Sequence, residues 1–99
     1  MNETELSTAL GLLKQRMNRT TEDTSLDGYF GFRLQAVWAD LTGTNGITLD
    51  LSDPADLLLL VDATAWQYQN RDNPGSMPEW LRLRRRERWL REAARGVTP

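Results

Sequence analysis

Apolar residues recur at helical spacing in four separate segments of the chain and at strand spacing in one short stretch. In the first segment Leu6, Leu10, Leu13 and Met17 follow at intervals of four, three and four. At about 100° per residue these positions form one narrow stripe. The pattern predicts a helix from Glu3 to Met17, with Leu12 pointing away from the stripe. Asn2 with Glu5 three residues later is a capping-box sequence at its start. A polar connection, Arg19 to Thr24, follows.

The second segment predicts a helix from near Ser25 to just before Gly43. Thr24 or Ser25 is the expected cap, and Asp27 sits in the first turn, where the helix dipole favours an anion. Leu26, Phe30, Leu34, Val37 and Leu41 make a core stripe with Trp38 at its edge. Tyr29, Phe32, Ala36 and Ala39 cluster almost opposite. Gly28 and Gly31 lower helix propensity, which suggests a close neighbour. Either another helix of the same domain or another subunit covers this second face.

Thr42 to Asp53 is the least helical stretch. Asn45 and Gly46 are a turn signal, and Ile47 to Leu51 alternates apolar and polar. A lone strand has no partner within the chain, so this stretch either packs as an irregular loop or pairs with another molecule. The third helix has the clearest start: Asp53 as cap, Pro54 in the first helical position and Asp56 in the first turn. It should run to about Asn70. Leu57, Leu58, Val61, Ala65 and Tyr68 form one apolar face, and Leu59, Ala63 and Trp66 another, so this helix should be central and buried on two sides. Trp66 is expected in the core beside Leu59 and the last helix. Asp62 lies between the faces and should meet an arginine or a backbone donor.

Residues 71–78 read as a turn, with Pro74 and Gly75 as its signal and Ser76 with Glu79 as a second capping box. The fourth helix should run from Met77 to about Arg95 and stop at Gly96. Trp80, Leu83, Leu90 and Ala94 are the expected core face. Arg84, Arg88, Arg91 and Arg95 make a continuous basic stripe, and Trp89 falls outside the core face, as an interface anchor would. The expected architecture is all-α: a single small domain over residues 1–99, four-helix bundle-like, with an extended loop between the second and third helices.

Composition narrows the chemistry. The 99 residues hold no cysteine and no histidine. Thiolate chemistry, Ser–His and Cys–His pairs and most transition-metal sites are therefore excluded. The acids are scattered and no phosphate loop or dinucleotide fingerprint is present. The expectation is a non-enzyme without a cofactor or a metal. No run approaches the roughly 20 apolar residues of a membrane span, and the acidic N-terminus has the wrong sign for a signal peptide, so the chain reads as soluble and unprocessed. Charge is divided along the chain: residues 1–70 carry ten acids and four bases, a net of −6, while residues 71–99 carry four acids and eight bases, a net of +4. Seven arginines lie between Arg82 and Arg95. Such a helix suits an acidic protein partner or nucleic acid phosphates, and the overall pI near 5.0 favours the protein.

The stretch from Asp62 through Trp66, Tyr68, Arg71, Asp72, Pro74, Gly75, Met77 and Pro78, followed by an arginine-rich helix, resembles the head–tail connector (adaptor) proteins of tailed phages and prophages. In that family an aromatic pair near the end of the central helix precedes Arg-Asp-x-Pro-Gly-x-Met-Pro and a last helix. Trp66 and Tyr68 match the aromatic pair, Arg71 and Asp72 the charged pair. The resemblance extends more loosely over the whole chain. It implies a structural virion-assembly protein that forms a dodecameric ring under the portal protein and links the DNA-filled head to the tail. The implied partners are copies of itself, the portal, a stopper or tail-completion protein, and double-stranded DNA passing through the channel without sequence-specific binding. The implied location is the virion, with the host cytoplasm before assembly. Tyr29, Phe32, Arg84, Arg88, Trp89, Arg91 and Arg95 are the expected portal or subunit interface. The alternative is a small DNA-binding regulator that uses the arginine-rich helix.

Overall fold

Asn2 opens the first helix with both bonds of the capping box: its side chain accepts from the Glu5 amide at 2.8 Å, and the Glu5 carboxylate accepts from the Asn2 amide at 3.0 Å. The computed structural model describes residues 1–20, 22–44, 46–72, 75 and 77–97, and for residues 44 and 95–97 the backbone alone. Asn45, Pro74 and Ser76, on which the turn and second capping-box expectations rest, lie outside the described residues. So does the side chain of Arg95.

Four helices follow in chain order: α1 (Glu3–Arg16), α2 (Asp27–Ala39), α3 (Pro54–Gln69) and α4 (Glu79–Val97). Helix α1 ends one residue short of Met17 because Asn18 takes a left-handed conformation, φ 59°. The Asn18 amide then donates to the Gln15 carbonyl and the Arg19 amide to the Lys14 carbonyl, the paired closing bonds of a Schellman motif. Helix α2 starts at Asp27, after Leu26, without a side-chain cap from Thr24 or Ser25. It runs on into one π-helical turn, Asp40–Thr44. The Thr42 hydroxyl donates to the Trp38 carbonyl at 2.8 Å there, a competing bond of the kind that loosens a helical ladder. Asp53 caps α3, its carboxylate accepting from the Ala55 amide at 3.0 Å, with Pro54 as the first helical residue. Helix α4 continues past Gly96 to Val97.

No strand forms among the described residues. The segment after the π turn packs as an irregular loop, the first of the two sequence alternatives. Its Ile47 is buried and donates its amide to the Leu41 carbonyl at 2.9 Å, and Leu49 and Leu51 pack against the core edge. Gly46 has φ 66°, which permits the reversal into this loop.

The molecule is an all-α, bundle-like domain in which α3 is central and touches each of the other three helices, while α1 and α2 also touch each other. The core draws Ala9 and Leu13 from α1, Phe30, Leu34 and Val37 from α2, and Leu59 to Val61, Ala63 and Ala65 from α3. The α1 stripe is broader than its spacing predicts: Ala9 is fully buried and Leu12 packs on the core with Leu6, Leu10 and Met17. Two expectations for α3 fail. Leu58 is 47% exposed, and Trp66 is half-buried at the rim, packed on the core but also facing an outward hollow with Arg33 and Arg71. Helix α4 meets α3 along Asp56, Leu59, Asp62 and Ala63, and none of its residues lines the hollow beside Trp66.

Candidate functional site

The residues from Asp62 to Pro78 that the structure describes divide into two groups. Around the C-terminal end of α3, Tyr68 meets Phe30 edge to face with ring centroids 5.0 Å apart, and Tyr29 at 5.9 Å. Three guanidinium groups lie over this aromatic cluster: Arg19 over Phe30, Arg33 over Tyr29 at 5.3 Å, and Arg71 over Tyr68 at 4.0 Å. Arg71 also donates to the Tyr68 carbonyl at 2.6 Å, while Asp72 lies exposed with its carboxylate 4.0 Å from Arg71. Arg71 thus ties the end of α3 to its own aromatic residue, a local closure of the helix end. Gly75 is exposed, and Met77 and Pro78 are half-buried before α4, Met77 beside Leu41, Ala63 and Leu81.

The second group joins α4 to α3 through charge. Asp62, expected to meet an arginine, meets two: Arg84 at 2.7 Å and Arg16 of α1 at 3.3 Å. One α3 turn and a half earlier, Asp56 is 2% exposed and accepts from the Arg88 Nε at 2.8 Å. Its other oxygen accepts from the Asp50 amide at 2.9 Å. Arg88, 4% exposed, also donates to the Glu92 carboxylate and to the Thr48 carbonyl. The hydrogen bond to Asp56 holds the Arg88 guanidinium pKa above its ordinary value, against the lowering effect of burial. Asp56 with Arg88 and Asp62 with Arg84 run in opposite chain directions, so the two helices are antiparallel and held by a two-rung ladder of ion pairs. The first rung also fixes the loop at Thr48 and Asp50.

This ladder reverses the expected register of α4. The face turned to α3 is formed by Leu81, Arg84 and Arg88, and among the described residues Leu81 is the one fully buried apolar side chain of this helix. Trp80, Leu83 and Leu90, expected in the core, are 46%, 47% and 49% exposed. Arg84 and Arg88, expected at a partner surface, are used inside the chain. Arg91 remains exposed, and Trp89 is 47% exposed as expected. The physical reason is that two carboxylates on α3 would be stranded next to an apolar helix face, and a buried unpaired charge costs far more than an exposed leucine.

Tyr29 and Phe32 also lie outward. Phe32 is 76% exposed and stands on a face otherwise made of Gly28, Gln35, Ala36 and Ala39, all exposed. A Cβ added at Gly28 or Gly31 would meet nothing within 4 Å, so no helix of this chain packs closely there. The structure therefore separates the predicted interface residues that stay outward: Tyr29 and Phe32 lie on α2, while Trp89 and Arg91 stand on nearly opposite sides of α4. The sequence reading missed Asp56 and the outward stripe of Trp80, Leu83 and Leu90. Among the described residues no group of acids converges as a metal site, and no helix is long and apolar enough to cross a membrane. No protein-family model, curated protein or solved structure matches the chain.

Proposed function

We propose that this protein is a structural assembly subunit of the head–tail connector kind, forming a ring under a portal protein and offering its free side to a stopper or tail-completion protein. The observation that carries the reading is the pair of outward apolar faces on α2 and α4, Phe32 on one and Trp80, Leu83 and Leu90 on the other, turned away from a core formed by the opposite sides of the same helices. Apolar surface of this kind on a small domain marks sites of protein contact. The motif from Asp62 to Pro78 supports the same reading, with Arg71 and Tyr68 fixing the end of α3 from which α4 departs. In this reading the chain performs no catalysis, needs no cofactor, and meets duplex DNA only as it passes through the ring, in the virion.

A DNA-binding regulator is the weaker reading, because Arg84 and Arg88 are already engaged by α3 carboxylates. Incubation with the portal protein encoded in the same genome, followed by electron microscopy, tests the proposal. Rings stacked on the portal are expected. Binding to duplex DNA with a steep salt slope, and none to the portal, would overturn it.

A further inference from the structure

Arg19, Arg33 and Arg71 each lie over a ring of the aromatic cluster at the end of α3, but they differ in what else holds them. Arg19 is paired with Asp23 at 3.2 Å. Arg33 meets no carboxylate among the described residues. Its Nε donates to the Tyr29 hydroxyl at 2.8 Å, and its neighbours one turn away on α2 are Tyr29, Phe30, Ala36 and Val37, none of them acidic. The acid beside Arg71 is Asp72, 4.0 Å away on a side chain 92% exposed, and so wet a contact yields readily to a ligand.

Arg33 and Arg71 line one open hollow of about 210 Å³ together with Trp66, Gln67 and Asn70. A ring under each guanidinium and one hydrogen bond from each hold the two forks in place, and most of their N–H donors remain for a ligand. The C-terminal end of a helix ordinarily repels an anion. Here the Trp66 carbonyl accepts from the Asn70 side chain at 2.9 Å and the Tyr68 carbonyl from Arg71 at 2.6 Å, so two of the end carbonyls are covered.

We infer that this hollow binds a phosphomonoester carried on a planar ring, the class to which nucleoside monophosphates belong. Two guanidinium forks suit a group with a charge of about −1.5 to −2 and three acceptor oxygens better than a carboxylate, with its single charge on two oxygens. Trp66, half-buried at the rim, offers an indole for the ring to pack on. The Gln67 amide has no hydrogen-bond partner among the described residues and can meet the polar edge of that ring. Nothing in this site uses the outward apolar faces of α2 and α4, so it stands apart from the assembly reading.

Titration of the full chain followed by proton–nitrogen NMR, which reports the tryptophan indole and arginine Nε–H signals, tests the site with adenosine monophosphate, inorganic phosphate, adenosine and glutamate. Adenosine monophosphate should shift the Trp66, Arg33 and Arg71 signals and bind about tenfold more tightly than each of the other probes, the worth of one charge-assisted hydrogen bond. Arg33→Gln and Arg71→Gln should each weaken its binding by about the same factor, with circular dichroism melts matching the parent. Because Arg71 also closes α3, Arg33→Gln decides the matter if Arg71→Gln unfolds, and the ranking of probes on the parent needs no variant. Any other probe binding as tightly as adenosine monophosphate, Arg33→Gln binding it like the parent, or no shift at Trp66 up to millimolar nucleotide would overturn the inference.

Discussion

Asp56 and Arg88 form the most deeply buried ion pair among the described residues. Asp56 is 2% exposed and Arg88 4%, and between them they engage Glu92, the Thr48 carbonyl and the Asp50 amide. Removing one partner strips a buried charge of its most buried counter-ion, and breaking a buried pair in this way typically costs about 3–5 kcal/mol. Asp56→Ala and Arg88→Ala should each lower the unfolding free energy by roughly that amount in urea titrations, whereas Asp72→Ala, at an exposed 4.0 Å pair, should change it by less than about 1 kcal/mol. Asp23 gives a second residue-scale expectation. The Ser25 hydroxyl and amide, then Arg19, bind its carboxylate and hold its pKa below the ordinary aspartate value. A carboxyl pKa depressed on folding adds stability above the unfolded value, and that stability is lost as pH falls through the folded value. Carbon NMR titration should find the Asp23 midpoint lower than that of a free aspartate, and Ser25→Ala should raise it. At this scale the sequence was readable where a residue conflicted with its surroundings. Asp62 stood between two apolar faces and so called for an arginine. Asp56 did not stand out, because an acid in the first turn of a helix already has a sufficient local reason.

At the scale of elements, caps and breaks located the helices closely. Asn2 with Glu5 and Asp53 with Pro54 set the starts of α1 and α3, where side-chain chemistry over a few residues decides the outcome. The end of α1, the bare start of α2 and the π turn after it depend on backbone geometry that no residue pattern announced. The two-sided burial of α3 was legible from its two apolar faces. The orientation of α4 was not, because periodicity identifies a stripe and says nothing about which neighbour it meets. Leu81 and Leu83 make that difference measurable. Leu81 is fully buried, and truncating a buried leucine to alanine costs about 2–5 kcal/mol. Leu83 lies 47% exposed, and surface substitutions away from special features stay within about 0.5 kcal/mol. In the monomer Leu81→Ala should therefore destabilise strongly and Leu83→Ala hardly at all. Equal effects would mean that α4 lies with its apolar stripe inward.

For the whole molecule, the core is closed while apolar side chains of α2 and α4 remain outside it. The molecule extends over 48 × 32 × 19 Å, a flattened shape with opposite signs of charge in its body and its last helix. The sequence showed the charge division and the residues of the α2 face, but it placed in the core the α4 side chains Trp80, Leu83 and Leu90, which lie exposed. The attachment of α4 has one more consequence. Helices α1, α2 and α3 share a continuous apolar core, while among the described residues Leu81 is the one buried apolar side chain that α4 adds to it, beside the ion pairs of Arg84 and Arg88. Regions with few buried apolar contacts open to solvent without unfolding the rest. Hydrogen exchange followed by mass spectrometry should find the α4 amides exchanging well before those of α3, which should be released only when the whole chain unfolds. Simultaneous exchange of all four helices would instead mark a single cooperative unit. An early-opening last helix would let this chain lift its apolar stripe away and reseat it, a single arm that takes several angles on a fixed body.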